Sequence, residues 1–422
     1  MKKNLHIGFV GLTHLGLNYL AASAEKKFKT LGIDLNSSKT NDLKKYNIEY
    51  DEPRLRNLII KNKRNIKFSS DLSNLKKCQI VFLSQDIATD NQDKGDFSNL
   101  RKLIKKVSKF LNKKAIMVIL SQVYPGFTRS INFDHSRLFY QVETLVLGKA
   151  VDRALMPERI IIGCEKSESN IQNLFLNYLK SFNCPIIKMK YESAELTKIS
   201  INILLASSII TANILAEACN KISADWYEIM PALKLDERIG EKAYIKPGLG
   251  ISGGNIERDI STIQKILIKN KYSTSIIKNF RKNSLYMKSW VYRILKEQRI
   301  LINNNNFTIG ILGLAYKENT NSIKNSPTLH LLRKIKNKKI LIYDPKAKLK
   351  KKIQDCYQVN SINYLLKNSN VIILMTPWPE FKKIHSFLKL NKNQKIILID
   401  PHRIINNEKI KRNRFKYFTI GK

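Results

Sequence analysis

The chain has 422 residues, of which 43% are hydrophobic. It is too long for one hydrophobic core and apolar enough for ordinary globular packing. Its net charge of +41 invites a nucleic-acid function, but the basic residues are spread along the chain without a zinc-finger or RNP motif, which argues against it. Five scattered cysteines without a CxxC pair argue against a zinc site and disulfides.

Targeting signals are not evident in the sequence. The first residues lack the apolar region of a signal peptide, and no uninterrupted apolar run reaches the roughly 18 residues of a membrane span. Together with the scattered cysteines, this predicts a cytoplasmic protein without a membrane partner.

Short apolar runs alternate with amphipathic stretches in the first third of the chain. They predict strands at residues 7–10, 30–34, 79–83 and 115–120. Continuous apolar strands that alternate with helices are typical of a parallel sheet covered on both faces.

The middle of the chain has a different pattern. Residues 193–222 contain no Pro or Gly and are apolar on most faces, which predicts one long buried helix. More helix is predicted over 256–300, and the asparagines at 303–306 form a polar linker.

A second alternating region follows, with strands predicted at 307–312, 339–344, 371–374 and 395–400. The predicted fold is α/β, with two Rossmann-like parallel-sheet domains at 1–190 and 303–422, joined by a long-helix central region at 191–302.

A glycine turn follows the first strand and opens a helix. Its sequence, Gly11-Leu12-Thr13-His14-Leu15-Gly16, matches GxGxxG except for Thr13. Asp34 ends the second strand eighteen residues later, where a carboxylate binds a ribose hydroxyl and repels a 2′-phosphate. The alternative is a strand–turn–helix without a ligand. We favour NAD over NADP, with contacts at Gly11, Thr13, His14, Leu15, Gly16 and Asp34.

Further motifs occur in a fixed order along the chain. They are Ser121-Gln122-Val123-Tyr124-Pro125-Gly126-Phe127-Thr128-Arg129, Pro157-Glu158-Arg159, Ala194-Glu195-Leu196-Thr197-Lys198 with Asn202, Gly313-Leu314-Ala315-Tyr316-Lys317 with Ser326-Pro327 and Tyr343-Asp344-Pro345, Thr376-Pro377-Trp378, and Asp400-Pro401-His402-Arg403. They resemble the STVPPGTT loop, the PE(F/R) segment, the AEL-x-K-x-x-x-N helix, the GLAFK…SP…YDP region and the C-terminal motifs of the UDP-glucose/GDP-mannose dehydrogenase family.

The resemblance implies an NAD-dependent oxidation of a sugar C6 alcohol in a nucleotide sugar, by a homodimer. The three regions then become an NAD-binding, a dimerisation and a sugar-nucleotide-binding domain. It implies catalytic roles for Lys198, Asn202, Asp259 and Glu158, with Glu158 activating water. Implied cofactor contacts are Gln122 and Lys324. Implied substrate contacts are Gly248, Gly250, Gly253, Gly254, Lys317, Arg403 and, from a second subunit, Arg238.

One departure from the family concerns the cysteine that captures the aldehyde intermediate in a GxGxGGxCxxKD segment. Alignment on Asp259 puts Asn255 at that position, and alignment on the paired glycines puts Ile256 there. Neither has a thiol, and Cys219 falls inside the long helix, where we expect it to pack. Because an amide is a poor nucleophile, the thiohemiacetal route is expected to be closed.

Three functions follow as alternatives. The first is an active dehydrogenase that stops after one hydride transfer, or oxidises a hydrated aldehyde with Asn255 only hydrogen-bonding the substrate. The second is a non-catalytic protein that binds NAD or a nucleotide sugar. The third is nucleic-acid binding by the basic surface. The Lys198, Asn202 and Asp259 set favours the first, because a binding protein needs no proton-transfer groups.

Overall fold

The computed structural model describes residues 5–90, 95–302, 307–384, 396–405 and 415–422. The predicted linker at 303–306 and residue 395 of the last predicted strand lie outside these ranges. The chain divides into two compact units, Met1–Ile201 and Asn202–Lys422.

The first unit contains an eight-stranded sheet. Its strands and a small antiparallel pair, β5 with β6, have these bounds: β1 His6–Val10, β2 Lys29–Ile33, β3 Ile66–Ser69, β4 Ile80–Leu83, β5 Ala88–Thr89, β6 Gly95–Asp96, β7 Ile116–Ile119, β8 Leu138–Gln141, β9 Ile160–Cys164 and β10 Ile186–Lys190. The order is β10-β9-β8-β7-β4-β1-β2-β3. Neighbours run parallel except β8 and β9, which are antiparallel. The predicted parallel sheet is confirmed.

Helices cover both faces of this sheet. They are α1 His14–Glu25, α2 Ser37–Lys44, α3 Leu55–Lys61, α4 Ser98–Ser108, α5 Ala150–Leu155 and α6 Asn173–Lys180. Strand β4 shows why its sequence is apolar throughout: Ile80 and Phe82 enter one buried cluster, while Val81 and Leu83 enter a second. Successive side chains of a strand alternate between faces, so a sheet covered on both faces needs apolar residues at every position.

Helix α7, Tyr191–Ile222, is the predicted long helix and begins in the first unit. An 18-residue window within it has a mean hydropathy of 1.9, but only 39% of that window is buried. Leu204 and Ile222 are 69% and 72% exposed, so the expectation of a fully buried helix is wrong for the single chain. By length and composition α7 could cross a membrane, a property that core helices of soluble proteins share.

The second unit contains helices followed by a six-stranded sheet. The helices are α8 Trp226–Leu235, α9 Asn255–Lys269, α10 Ser275–Lys288, α11 Trp290–Glu297, α12 Pro327–Leu332 and α13 Ile362–Lys367. The strands are β11 Ile309–Leu312, β12 Ile340–Tyr343, β13 Cys356–Gln358, β14 Val371–Leu374, β15 Ile396–Ile399 and β16 Phe415–Phe418. The order is β13-β12-β11-β14-β15-β16, and all neighbours are parallel. The second predicted parallel sheet is therefore confirmed.

Both sheets begin with the same type of turn. Gly11 follows β1 with φ +91° and donates its N–H to Ile33 O at 2.9 Å. Gly313 follows β11 with φ +104° and donates its N–H to Tyr343 O at 2.8 Å. Each turn is therefore fastened to the end of the second strand of its own sheet.

In the second sheet, an aspartate that follows the second strand, β12, binds the turn. Asp344 Oδ2 accepts the N–H groups of Leu314 at 2.6 Å and Ala315 at 2.9 Å. Its Oδ1 accepts the N–H groups of Lys346 at 2.9 Å and Ala347 at 2.7 Å. The carboxylate is buried among these donors.

Candidate functional site

The turn between β1 and α1 requires both of its glycines. A side chain at Gly11 would place Cβ 2.9 Å from Gln85 N, and its positive φ is strained for other residues. A Cβ at Gly16 would lie 2.3 Å from Gly11 O. The sequence therefore enforces a tight strand–helix connection that exposes the start of α1.

Thr13 replaces the middle glycine of the motif and is 9% exposed. Its hydroxyl donates to Ser84 O at 2.7 Å and accepts the N–H of Gly16 at 3.3 Å. The threonine is thus the N-cap of α1, with its side chain bonded to the protein rather than projecting from the turn. The N–H groups of His14 and Leu15 follow, where a helix offers no acceptor of its own, and these can bind a pyrophosphate.

Asp34 lies directly after β2, as predicted. Its carboxylate accepts the N–H of Leu12 at 3.1 Å and that of Asn36 at 3.1 Å, and Lys39 Nζ lies 3.5 Å away. The side chain is 19% exposed, so part of the carboxylate faces solvent. The N–H groups at the start of α1 and a partly exposed carboxylate beside the turn fit a dinucleotide such as NAD.

The side chain of His14 points to a buried carboxylate. Its Nε2 lies 2.8 Å from Glu52 Oε2, and Glu52 also accepts the N–H groups of Gly148 at 2.9 Å and Ala150 at 2.8 Å. The Glu52 side chain is completely buried. A cofactor contact by His14 would therefore use its backbone N–H, while its ring joins the turn to the start of α5.

The loop at 121–129 lies after β7 in the first unit, and Gln122 within it is half-buried. Glu195 of α7 accepts the N–H of Gly126 at 2.6 Å and that of Thr128 at 2.8 Å. The glutamate of the AEL motif thus holds the loop that contains the predicted cofactor contact.

Lys198 is paired with a carboxylate that the sequence analysis did not identify. Its Nζ lies 2.8 Å from Glu143 Oε1, and the two side chains are 10% and 13% exposed. This pair therefore holds two groups of opposite charge together, largely shielded from bulk water.

Glu158 does not take part in this pair. Its side chain is 57% exposed, 3.5 Å from Arg153 and 3.3 Å from Arg159. The structure therefore gives no support for Glu158 as the water-activating carboxylate and puts Glu143 beside the lysine instead. Glu143 follows Val142 and is therefore not part of a Pro-Glu motif in the sequence.

Asp259 belongs to a buried cluster in the second unit. It is 2% exposed, and its Oδ2 accepts a hydrogen bond from Asn202 Nδ2 at 2.5 Å. Arg258 Nε lies 3.8 Å from its other oxygen. Asp259 thus orients Asn202.

Two glycines of the segment before α9 have positive φ angles and a close neighbour. Gly250 has φ +74°, and a Cβ there would lie 2.4 Å from Ser284 O. Gly253 has φ +96° beneath the ring of Tyr316. The other predicted glycine of this turn region, Gly248, donates its N–H to Asn213 Oδ1 at 2.8 Å.

Lys324 lies against Gly254, where a Cβ would be 2.9 Å from its Nζ. Its carbonyl accepts the N–H of Gly253 at 3.2 Å. The predicted cofactor lysine is therefore at the start of α9, next to the position where the family has its thiol.

Asn255 is the first residue of α9 and is exposed, whereas Ile256 is half-buried and packs against a small apolar cluster. Of the two candidate counterparts of the cysteine, Asn255 is therefore the more accessible in the single chain. Cys219 is 3% exposed within the core, as expected for a packing residue.

The three predicted cationic substrate contacts differ in how firmly other protein groups hold their side chains. Arg238 is 89% exposed and pairs only locally, with Asp236 at 2.6 Å. Lys317 Nζ lies 5.9 Å from the centre of the Tyr316 ring. Arg403 forms an ion pair with Asp225, which raises the pKa of the guanidinium, and stacks over Tyr227. Arg403 is thus held in place by the protein.

His402 is a further half-buried group beside the glycine segment. A Cβ at Gly248 would lie 3.6 Å from its ring, and its Nε2 lies 3.2 Å from Met375 O. Burial lowers the pKa of His402 to about 4. The imidazole is therefore neutral at physiological pH and adds no charge near the segment.

Three family models match successive parts of the chain. They describe the NAD binding domain, the central domain and the UDP binding domain of the UDP-glucose/GDP-mannose dehydrogenase family, at residues 5–179, 192–284 and 310–407. The matches occur in this order and cover most of the sequence.

Curated relatives match along the whole chain. UDP-glucose 6-dehydrogenase TuaD of Bacillus subtilis is 25% identical over 441 residues, covering 100% of this chain and 94% of the relative. UDP-glucose 6-dehydrogenase of Rickettsia bellii is 27% identical over 446 residues, covering 99% of each.

Solved structures share the fold. A UDP-glucose dehydrogenase from Pyrobaculum islandicum has a TM-score of 0.86 at 21% identity, covering 99% of this chain and 98% of that one. The UDP-D-ManNAc dehydrogenase of Pyrococcus horikoshii has a TM-score of 0.84 at 22% identity, with 99% of each covered.

Proposed function

Because the chain belongs to the UDP-glucose/GDP-mannose dehydrogenase family, we propose that it is an NAD-dependent dehydrogenase that oxidises a primary alcohol of a UDP- or GDP-sugar. The observation that carries this proposal is the shielded ion pair between Lys198 and Glu143. We divide its tasks among an NAD-binding domain at 1–190, a dimerisation region at 191–302 and a sugar-nucleotide-binding domain at 303–422.

Cofactor binding rests on the turn after β1. The first N–H groups of α1 would hold the pyrophosphate, and Asp34 would bind the adenosine ribose and repel a 2′-phosphate. Gln122 and Lys324 are the further proposed contacts. When bound, NAD supplies the acceptor for the hydride that leaves the sugar carbon.

Oxidation of an alcohol to an aldehyde releases a proton as well as a hydride. The carboxylate of Glu143 would receive that proton, while the ammonium of Lys198 stabilises the developing charge on the substrate oxygen. Asn202, fixed by Asp259, would orient a substrate hydroxyl. These tasks require no nucleophile.

The residue at the start of α9 limits the extent of the reaction. Asn255 offers an amide where the family uses a thiol, so no thioester can form there. We propose that the reaction stops at the aldehyde, with Asn255 hydrogen-bonding the substrate. Direct oxidation of the hydrated aldehyde is the alternative within the same function.

The ratio of NADH to sugar consumed tests this proposal. Across a panel of UDP- and GDP-sugars, we expect one NADH for each sugar oxidised and a product mass that corresponds to the aldehyde. Asn255→Ala should slow the reaction without abolishing it. Two NADH for each sugar, with a carboxylate product, would show that an acid-forming route exists without the cysteine.

A second candidate function is a non-catalytic protein that binds NAD and a nucleotide sugar. The loss of the thiol with a complete cofactor turn favours it. The same assay separates the two candidates. A non-catalytic protein would form no NADH with any of the sugar nucleotides tested, while calorimetry would still detect NAD binding.

We also propose a homodimer that forms through the central region. Apolar side chains of α7 are solvent-exposed in the single chain, with Leu204 at 69%, Ile214 at 51% and Ile222 at 72%. Exposed apolar side chains that recur along one helix favour a protein interface. Arg238, exposed and paired only locally, is free to reach a second subunit.

Sedimentation velocity at micromolar concentration is expected to give about twice the chain mass of 48.8 kDa. Leu204→Glu should shift the protein to the monomer, because it puts a charge into the apolar face. Ile187→Glu, at an exposed apolar position on β10, is the control that should remain dimeric. A monomer of the unmodified protein would refute the dimer.

The cytoplasm is the proposed location, without a membrane or nucleic-acid partner. Helix α7 buries polar side chains, among them Lys198, Asn202 and Asn213. Polar groups with specific protein partners favour packing of α7 within a soluble protein over a place in lipid.

A further inference from the structure

Glu195 is a buried carboxylate to which the proposed chemistry gives no task. It is 0% exposed, and both of its oxygens accept backbone N–H groups of the loop at 121–129. Burial raises the pKa of the Glu195 carboxyl, and the N–H donors of Thr128 and Gly126 oppose that rise. A buried carboxylate held by two main-chain donors forms short, charge-assisted hydrogen bonds that fix both partners.

The loop needs such an anchor at Gly126. This residue has φ +91°, and the space that a Cβ would fill there is open, so only its main chain can be anchored. Its N–H is bonded to Glu195 Oε2 at 2.6 Å. The carboxylate therefore fixes the main chain of this turn, next to the buried side chain of Phe127.

A second carboxylate of α7 binds the end of the same loop. Glu192 Oε1 accepts a hydrogen bond from Arg129 Nε at 2.5 Å, and Arg129 also donates to Glu165 O at 2.8 Å. This pair is partly exposed, with side chains 43% and 32% accessible. This pair holds the end of the loop at the surface of the unit. A substitution of Glu192 is therefore a suitable control for a substitution of Glu195.

Lys198 follows Glu195 by three residues, less than one turn of α7. The Nζ of Lys198 forms an ion pair with Glu143. Gln122, the proposed cofactor contact, lies near the start of the loop at 121–129. We infer that Glu195 is a positioning residue that keeps the cofactor-side loop and the turn carrying Lys198 at one fixed spacing. The inference rests on the proposed role of this loop in NAD binding.

Glu195→Gln tests the inference at almost unchanged size. An amide has one acceptor oxygen, and its NH₂ group would face one of the two backbone N–H donors. That donor would then be buried without a partner, which releases one end of the loop. Glu195→Asp keeps the charge and can reach one donor, so it should recover part of the effect.

Hydrogen exchange and calorimetry on the full chain give the readouts. In Glu195→Gln we expect amide exchange in peptides covering 122–130 to rise about tenfold, and the Kd for NAD to rise about tenfold. The Kd for UDP should stay within about twofold, since a merely structural defect would lower both affinities. Glu192→Gln, which alters the exposed pair, should change the NAD affinity less than about threefold.

Unchanged exchange in 122–130, or an equal loss of NAD and UDP affinity, would overturn the inference. If Glu195→Gln does not fold, Glu195→Asp carries the same comparison with a smaller loss. Failure of the proposed function is distinguishable, because a protein that forms no NADH still gives the exchange and NAD-binding results.

Discussion

Replacement of Lys198 by alanine is expected to lower the rate of NADH formation by about a thousandfold, the upper end of the range for removing one group that stabilises a developing oxyanion. The change removes the ammonium that stabilises charge on the substrate oxygen. It also removes the ion-pair partner of Glu143, which is 13% exposed. Initial rates at saturating NAD and sugar nucleotide measure the effect.

Lys221→Ala is the matched control, since Lys221 is an exposed lysine near the end of the same helix. It should retain the full rate. NAD binding by Lys198→Ala should be preserved, because the cofactor turn after β1 is unchanged. A Lys198→Ala protein that kept a tenth of the rate would exclude the lysine from the chemical step.

Glu143→Gln is expected to lower the same rate by about a hundredfold, whereas Glu158→Gln should change it less than about twofold. Glutamine keeps the shape of Glu143 but cannot receive a proton. Glu158 is an exposed residue in surface pairs with arginines, and neutralising such pairs alters little.

Comparison of the two variants identifies which glutamate receives the proton. The opposite result, a large loss with Glu158→Gln and a normal rate with Glu143→Gln, would restore the sequence-based assignment.

The fold was largely predictable because its strands are short, apolar and separated by helices. Runs such as residues 80–83 are apolar at every position only where both faces of a sheet are covered. The antiparallel pair of β8 and β9 was not predictable, since strand direction depends on the connection between strands and not on their composition.

Candidate site residues were predicted where a motif was recognisable. The turn at Gly11–Gly16 and Asp34 were predicted from local spacing, and Lys198 was predicted from the resemblance to the family. Glu143 was missed because it is not part of a Pro-Glu motif, and only tertiary contact with Lys198 identifies it. The burial of α7 was overestimated because an apolar sequence does not show whether its partner is the same chain.

Each Rossmann-like sheet has an aspartate after its second strand, Asp34 in the first and Asp344 in the second. The two differ in how many hydrogen bonds their carboxylates accept. Asp344 spends both oxygens on four main-chain N–H groups and lies 3.3 Å from the indole nitrogen of Trp378. A ribose hydroxyl that binds Asp344 would have to displace one of these N–H donors, which would then be buried without a hydrogen-bond acceptor.

Among the described residues, Asp34 accepts backbone N–H groups from Leu12 and Asn36 and is 19% exposed, so a hydroxyl can approach the carboxylate from the solvent side. Asp34 in the first sheet can thus still bind a ligand, whereas Asp344 in the second sheet only stabilises the main chain around it. A nucleotide held by the second unit would have to be recognised by other groups, which lets one chain contain two similar folds without competition between them for the same ligand.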